Sequence, residues 1–234
     1  MKKLCIVLLI LTIIFSVSAV MAQNNLIGPL VGLNLASVDI EVKDVDQDIS
    51  TSIRPGFAFG GSFYLALSSS IGLQFEPAYM QKGSKVEVKW VENGSNIEMD
   101  QILKANHIDI PILFKASFGQ GNTKPYVLAG ANVALRTSDV TVEVDKVTVD
   151  GQDITSQIPS GELEDELKTT VTDFGLNFGA GILFPIGTNH FFIEGQYNIG
   201  LKNIYDEEDA DEVEVKTKGI LIKAGIFFTL GGSS

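Results

Sequence analysis

The sequence predicts an all-β protein, specifically an eight-stranded antiparallel up-and-down transmembrane β-barrel with short periplasmic turns and long acidic outer loops. Three observations lead to this prediction. Apolar residues alternate with polar residues or glycine in eight segments, the glycines share the polar face, and short connections alternate with long ones. Period-two alternation is typical of strands, and membrane barrels show it as short segments separated by turns.

The first 22 residues differ from the rest of the chain. Two lysines precede a long apolar run, and Val20 and Ala22 place small residues at the two positions that a signal peptidase reads. We expect residues 1–22 to be a signal peptide and residues 23–234 to form the barrel domain in the bacterial outer membrane. A membrane anchor is the alternative, but no basic cluster follows the run. The single cysteine, Cys5, precedes the expected cleavage site, which leaves the mature chain without thiol chemistry.

Charge and hydropathy narrow the classes of partner. The chain has 17 basic and 29 acidic residues and a formal net charge of −12, so nucleic acid and anionic lipid surfaces are poor partners. Cations and basic partners are compatible with this negative charge. After residue 22, no segment approaches the roughly 20 consecutive apolar residues of a membrane helix, so contact with outer-membrane lipid must come from strands.

Each of the eight segments presents one apolar face. The segments, in chain order, are GPLVGLNLAS, PGFAFGGSFYLAL, IGLQFEPAYMQK, HIDIPILFKASF, PYVLAGANVALR, DFGLNFGAGILFPI, FFIEGQYNIGLK and GILIKAGIFFTL. In the sixth, Phe174, Leu176 and Phe178 alternate with glycine and asparagine. The apolar faces of the eight segments begin, in the same order, with Val31, Phe57, Ile71, Ile108, Val127, Phe174, Phe191 and Ile220.

Glycine decides which face is inside. Alternation alone fits a soluble sandwich as well as a membrane barrel, because either places apolar and polar residues on opposite faces. A barrel of about eight strands has an interior only just wide enough for its own side chains, so its inner face favours small residues. We therefore expect the apolar face to meet lipid. The glycines on the polar face are Gly32, Gly60, Gly72, Gly130, Gly175, Gly179, Gly181 and Gly225.

The connections between segments alternate in length. Short ones lie around residues 68–70, 120–123 and 187–189, whereas the others are long and mostly acidic. Membrane barrels have short periplasmic turns and longer outer loops, which matches this alternation. Valine alternates with charge in KVEVKWVEN and VTVEVDKVTVD, so we expect the barrel wall to continue into the long connections as polar hairpins.

The polar face also carries charged residues of both signs. Charges in a narrow lumen must pair or hydrate, because an isolated buried charge is costly. We expect paired charges that close the lumen; a narrow ion path is the alternative. The predicted lumen charge network consists of Glu76, Lys115, Arg136, Asp173, Glu194 and Lys223, with Lys82, Asp109 and Lys202 on the same face.

Catalytic chemistry has little support in the sequence. Lipid-modifying enzymes of this architecture would need a nucleophile with a histidine base, and the chain has only His107 and His190. His190 falls in an expected turn, and His107 shares a face with Asp109, but no serine lies in a G-x-S-x-G turn. We therefore expect no catalytic residues, no cofactor and no enzymatic activity.

The fourth long connection is dense in carboxylates, which are ligands for hard cations. It lacks the order of acids and the glycine of an EF-hand loop, so it gives only weak divalent-cation candidates, and a solvated acidic loop is the alternative. Acids also occur in the third long connection, at residues 162 and 164–166. A basic protein segment or a surface polysaccharide bridged by divalent ions would suit such a rim. The cation candidates are Asp206, Glu207, Glu208, Asp209, Asp211 and Glu212.

Five stretches of the chain carry a resemblance to a known family. FEPAYMQKG, IDIPILFKASF, KPYVLAGANVAL, DFGLNFGAGILFPIG and FIEGQYNIGLKNI resemble, in order and spacing, the strand motifs of PorT-like bacterial outer-membrane β-barrels. The resemblance covers nearly all of residues 23–234 and implies both termini in the periplasm. It also implies a possible link to secretion, which some members have, although no motif here carries that role.

Taken with the residues, the resemblance favours a non-enzymatic structural or interaction protein that acts through acidic extracellular loops. A narrow passive channel is the first alternative, and a lipid-modifying enzyme is the second.

Overall fold

The computed structural model describes residues 25–42, 48–158, 164–167, 170–205 and 213–230. The predicted signal peptide and the cation candidates of the fourth long connection lie outside these residues. The described residues form twelve strands and one short 3₁₀ helix, Thr155–Gln157. The strands are β1 Asn25–Val42, β2 Asp48–Ala66, β3 Ile71–Phe75, β4 Ala78–Glu92, β5 Ser95–Ser117, β6 Lys124–Arg136, β7 Val140–Val149, β8 Gln152–Asp153, β9 Glu164–Leu167, β10 Thr172–Ile186, β11 Asn189–Gly200 and β12 Val213–Leu230.

The wall of the barrel is a closed antiparallel ring of eight segments. Going round it, β1 is followed by β2, by β3 and β4 together, and then by β5, β6, β10, β11 and β12. β12 pairs with β1 and closes the ring. Chain order and ring order agree, so the predicted eight-stranded up-and-down barrel is confirmed. In the part of the chain that the structure describes, no helix has the length and apolar character needed to cross a membrane.

The third wall segment is interrupted at Glu76 and Pro77. Proline has no N–H to give to a ladder, and such residues are tolerated where a strand is irregular. The Pro77 carbonyl accepts a hydrogen bond from the Gly61 N–H at 3.0 Å, and the Glu76 N–H donates to Pro111 at 3.3 Å. The two halves, β3 and β4, therefore both stay paired with β2 and β5, and the Glu76 side chain is buried inside the ring.

The two ends of the barrel differ. Residues 67–70, 118–123 and 187–188 make the short turns at one end, where Asn25 of β1 also pairs with Leu230 of β12. At the other end, β4 and β5 continue beyond the ring as a long hairpin that ends at the pair Glu92–Ser95. The edge of β5 that faces away from β4 pairs there with β7. The valine-rich segments are thus strands, as expected. We call residues 84–103 with Val140–Val149 the outer extension.

Length explains why this extension leaves the ring. A membrane strand needs about 9–11 residues, whereas β5 alone has 23. Its first part pairs with β7 and its second part with β6, so only the second part belongs to the ring. Much of the long connections seen in the sequence therefore consists of strand residues.

The two faces of the wall follow the predicted alternation. Apolar side chains on the outer face are exposed, among them Val31 at 63 % and Phe57 at 66 %. On the inner face glycine makes room for neighbours, because a Cβ on Gly72 would lie 2.4 Å from the Tyr64 ring. A Cβ on Gly181 would likewise lie 2.4 Å from the Tyr126 hydroxyl. The glycines therefore accommodate large side chains in a narrow lumen.

Candidate functional site in the barrel lumen

A buried ion cluster lies at the middle of the lumen. The Lys223 ammonium contacts carboxylate oxygens of both Glu76 and Glu194, the latter at 2.8 Å, and all three side chains are at most 1 % exposed. Glu194 and Lys223 are direct partners on β11 and β12, whereas Glu76 reaches them from the opposite side of the ring. Two carboxylates around one ammonium leave a negative charge, which a second cation must balance.

Lys115 supplies that second cation. Its ammonium lies 3.5 Å from the centroid of the Tyr126 ring and donates to the Gln74 amide oxygen at 2.8 Å. The Gln74 amide nitrogen in turn donates to Glu76 at 2.7 Å and to Glu194 at 3.1 Å. Two acids and two lysines are therefore joined in one buried group with balanced charge.

Further donors complete this group. The Tyr126 hydroxyl donates to Glu194 at 2.8 Å, and the Gln196 amide donates to Glu76 at 2.9 Å and to Glu194 at 2.7 Å. Buried carboxylates are tolerated when their oxygens are fully hydrogen-bonded, and these are. We call the group the inner cluster; it consists of Gln74, Glu76, Lys115, Tyr126, Glu194, Gln196 and Lys223.

Apolar side chains lie beneath the inner cluster, toward the short turns. The rings of Phe192 and Phe227 stack with centroids 4.7 Å apart, and neither residue is exposed. Leu113, also fully buried, packs in the same apolar core. The inner half of the lumen is therefore filled with side chains.

The outer half of the lumen is hollow. A cavity of about 210 Å³ extends from Asn177 and Gln196 at its floor toward the outer end of the barrel. Its walls are mostly apolar and include Val38, Val140 and Val215. We call this space the outer cavity.

Polar side chains on the wall of the outer cavity form two small groups. Lys82 donates to Asp109 at 2.7 Å, and the Asn132 amide donates to the same Asp109 oxygen at 3.0 Å. The Thr217 hydroxyl donates to Asp173 at 2.7 Å. The cavity thus combines an apolar wall with a few polar groups, which is the composition of small-molecule sites in proteins.

A comparison with protein families decides the identity of the fold. The model of the outer-membrane protein β-barrel domain matches residues 21–206, which is more than half of the chain. The chain belongs to this family of outer-membrane β-barrels. Membership places the protein in the bacterial outer membrane. No curated protein matches the sequence.

Several solved structures of other outer-membrane proteins are similar to this chain. OprG of Pseudomonas aeruginosa is 10 % identical with a TM-score of 0.50, and the match covers 90 % of this chain and 97 % of that one. Ail of Yersinia pestis, solved with the heparin analogue sucrose octasulfate, is 16 % identical with a TM-score of 0.40, covering 88 % and 100 %. The Escherichia coli protease OmpT is 8 % identical with a TM-score of 0.45, covering 89 % and 97 %. At 10 % identity the likeness to OprG concerns the fold alone.

The outer-membrane barrel separates the six residues of the predicted lumen network into two places. Glu76, Lys115, Glu194 and Lys223 meet in the inner cluster. Arg136 lies at the outer cavity and donates to the Ser138 carbonyl at 3.0 Å and to Asp139 at 3.2 Å. The sixth residue, Asp173, lies on the wall of the outer cavity. It belongs neither to the inner cluster nor to the Arg136–Asp139 pair.

The two histidines are far apart along the barrel. His107 is 9 % exposed and borders the outer cavity, whereas His190 pairs with Phe227 near the short turns. Although His107 and Asp109 share a face, Nδ1 of His107 accepts or donates no hydrogen bond within the described residues. The Asp–His orientation that a hydrolase requires is thus not formed at this nitrogen.

The acids of the outer end are only partly within the described residues. Asp206, Glu207, Glu208, Asp209, Asp211 and Glu212 lie outside them. The outer extension brings together a trio that the sequence pattern did not indicate, Glu87, Glu98 and Asp100, with ligand atoms within 4.8 Å of one another. Lys89 contacts Glu87 and lies 3.4 Å from Glu98, so a cation already balances part of this charge.

Sequence reasoning missed the uncharged members of the inner cluster. Strand alternation places Gln74, Gln196 and Tyr126 on the inward face, but it gives them no partner across the lumen. For Gln74 and Gln196 the available signal is parity with Glu76 and Glu194 two residues away, since alternate residues of a strand share a face. Their contacts across the lumen depend on how the ring closes.

Proposed function

We propose that this outer-membrane barrel is a non-conducting, non-enzymatic protein that interacts with partners through its outer end. The observation that supports the proposal is the inner cluster, in which Lys223, Glu76 and Glu194 are buried in the middle of the lumen. A chain of water or ions would have to displace these paired charges and the Phe192–Phe227 stack beneath them. The surface that remains for function is the outer end, with its extension and acidic connections.

Planar-bilayer recording tests the closed lumen. The protein purified from outer membranes should give no steady ohmic conductance at neutral pH. A Phe192→Ala/Phe227→Ala variant removes the apolar layer and serves as a control for a partly opened barrel. Steady ohmic conductance of the unaltered protein would overturn the proposal, whatever the variant gives.

A narrow channel is the second candidate, because the outer half of the lumen is already hollow. Only the inner half would have to rearrange for a path to form. Conductance that appears in the unaltered protein and rises when Lys223 is replaced would favour the channel.

We further propose that the acids of the fourth long connection attract a basic protein segment, or a surface polysaccharide through divalent ions. The attraction should fade as the Debye length falls from about 10 Å at 0.1 M salt to about 3 Å at 1 M. The test replaces seven acids with Asn or Gln and compares cross-linked partners and divalent-ion binding in intact cells. Unchanged partners and unchanged ion binding would contradict it. The seven acids are Asp206, Glu207, Glu208, Asp209, Asp211, Glu212 and Glu214.

Two finer proposals concern maturation and family role. N-terminal sequencing of the outer-membrane protein should begin at Gln23 if residues 1–22 are a cleaved signal peptide. The PorT-like resemblance suggests a part in secretion or surface assembly, which a secretion assay in a strain lacking the protein would test. Secretion equal to that of the parent strain would remove that role.

A further inference from the structure

Asp173 on the wall of the outer cavity has an incomplete set of partners. The residue is 6 % exposed, and the Thr217 hydroxyl donates to its Oδ2 at 2.7 Å. Among the described residues, its buried Oδ1 has no hydrogen-bond partner. Within the described part of the chain, no lysine or arginine forms an ion pair with Asp173: Lys82 pairs with Asp109, and the Lys202 ammonium donates to the Thr172 carbonyl at 3.3 Å. The Asp173 carboxyl is therefore buried without a direct ion pair, and the Lys82 charge acts on it only from beyond ion-pair distance.

The other charges that line the outer cavity are compensated. Among the described residues, each lysine or arginine on its wall has a carboxylate partner, and Asp109 has Lys82. Among the described residues that line the cavity, Asp173 is thus the carboxyl that lies outside these ion pairs. The pairs are Lys82 with Asp109, Lys104 with Glu143, Arg136 with Asp139, and Lys218 with Asp39.

A second acceptor lies close to Asp173. Asp109 on β5 and Asp173 on β10 are both direct neighbours of Ala134 on β6, which places their backbones two strand spacings apart, roughly 10 Å. Oδ1 of Asp109 likewise accepts no hydrogen bond from any residue that the structure describes. Two buried carboxylate oxygens on one patch of the wall thus lack a hydrogen-bond donor among the described residues.

We propose that the outer cavity binds a small organic ammonium ion with a compact apolar body. The ammonium group would donate to Asp173 Oδ1, with Asp109 Oδ1 as the neighbouring acceptor, and the body would contact Val38, Val140 and Val215. An ammonium balances the charge of Asp173, whereas an alcohol only donates a hydrogen bond. The volume suits a single ring, because a cavity of about 150 Å³ holds benzene and this one measures about 210 Å³. This site is independent of the macromolecular partner proposed for the outer end.

The probe for this site is 2-phenylethylamine, with 2-phenylethanol as a neutral molecule of similar shape. Titration calorimetry on the protein purified from outer membranes should show the amine binding about tenfold or more tightly than the alcohol, as a charge-assisted hydrogen bond requires. The Asp173→Asn variant keeps the side-chain shape and should reduce that ratio to about one. The matched control Asp153→Asn removes an equal charge from exposed β8 and should leave the ratio unchanged.

A second variant tests the position of the apolar body without altering charge. Ala36 is 4 % exposed and lines the cavity, so Ala36→Leu should fill part of it and weaken amine binding about tenfold. If Asp173→Asn fails to insert into the membrane, two measurements still test the proposal. They are the ratio of amine to alcohol affinity in the unaltered protein and the amine affinity of Ala36→Leu. Equal affinity for amine and alcohol, no measurable amine binding, or an amine affinity unchanged by Ala36→Leu would each overturn the proposal.

Discussion

The inner and outer halves of the lumen are enclosed by the same ring of strands but are filled differently. In the inner half, Glu76, Glu194 and Lys223 are surrounded by amide, phenol and aromatic groups, and these three side chains have almost no exposure. In the outer half, apolar walls surround an open cavity, and one oxygen of Asp173 has no hydrogen-bond partner in the described part of the chain. A barrel of this size can therefore be a closed plug over one stretch and a binding pocket over the next.

The difference arises from which residues each half places inside. The inner half combines glycines with large aromatic residues, so Phe192 occupies the space that Gly225 leaves. The outer half places alanine, serine and valine on the inner face, such as Ala36 and Val38, and these do not reach the centre. Side-chain volume, with an unchanged number of strands, thus sets whether the lumen is filled.

The largest expected effect comes from breaking the inner cluster. Lys223→Met should lower the free energy of unfolding by about 3–5 kcal/mol, because it leaves two buried carboxylates without their central cation. Denaturant unfolding of the barrel in detergent measures this. Lys218→Met on the same strand is the control, since its pair with Asp39 is partly exposed and should contribute at most about 1 kcal/mol.

Adding Glu194→Gln to Lys223→Met should restore part of the lost stability, because fewer buried charges are then unpaired. A Lys223→Met variant as stable as the Lys218→Met control would show that the inner cluster is not buried as described.

A smaller effect is expected from glycines on β12. A Cβ on Gly225 would lie 2.4 Å from the Pro29 carbonyl oxygen and 2.6 Å from the Phe192 ring, whereas on Gly219 the nearest atom is at 3.2 Å. Gly225→Ala should therefore cost about 1–3 kcal/mol in the free energy of unfolding, by overpacking. Gly219→Ala, in the outer half, should cost less than about 1 kcal/mol. Equal losses in the two variants would contradict the contrast between a filled and a hollow half.

Loss of a carboxylate should change the free energy of unfolding in opposite directions in the two halves of the lumen. Asp173→Asn keeps a hydrogen-bond acceptor for Thr217 and removes a buried charge that has no ion pair. We expect unfolding free energy to stay equal or rise by up to about 1 kcal/mol. Glu194→Gln is the inner counterpart and should be destabilising, since it leaves Lys223 with one carboxylate. If Asp173→Asn lowers the free energy of unfolding as much as Glu194→Gln does, the proposed difference between the two halves is wrong.

The wall of the barrel could be predicted from the sequence, because alternation and glycine content are local properties. Phe174 and Phe178 are exposed on the outer face as expected, and all eight segments are strands of the ring. The contacts inside the barrel could not be predicted in the same way. Which inward residues meet across the lumen depends on the tilt and stagger of the strands, and no local pattern specifies these. Glu76 and Lys223 are 147 residues apart in the chain yet form a buried pair.

The inward aromatic residues show the same limit. Gly225 is followed by Phe227 and Phe228, of which only one points inward, and parity with Gly225 identifies it as Phe227. That parity does not reveal the stack with Phe192, which requires the register of β11 against β12. The hollow outer half could not be predicted either, since it results from what neighbouring side chains leave empty.

The smallest expected effect lies in the outer extension, beyond both halves of the lumen. The Lys89 ammonium, bonded to the Glu87 side chain, holds the pKa of that carboxyl below its usual range, and the pKa of Lys89 is raised in return. Lys89→Met should therefore raise the pKa of Glu87 toward its ordinary value without a measurable change in stability, because both groups are solvent-exposed. Carbon-13 NMR titration of the glutamate carboxyls would follow the shift, and high salt should reduce the difference between the two proteins. Lys146→Met, on β7 of the same extension, is the control. A Glu87 titration that Lys89→Met leaves unchanged would mean that this pair does not form in solution, and that exposed charges of the extension, unlike those of the inner cluster, act independently.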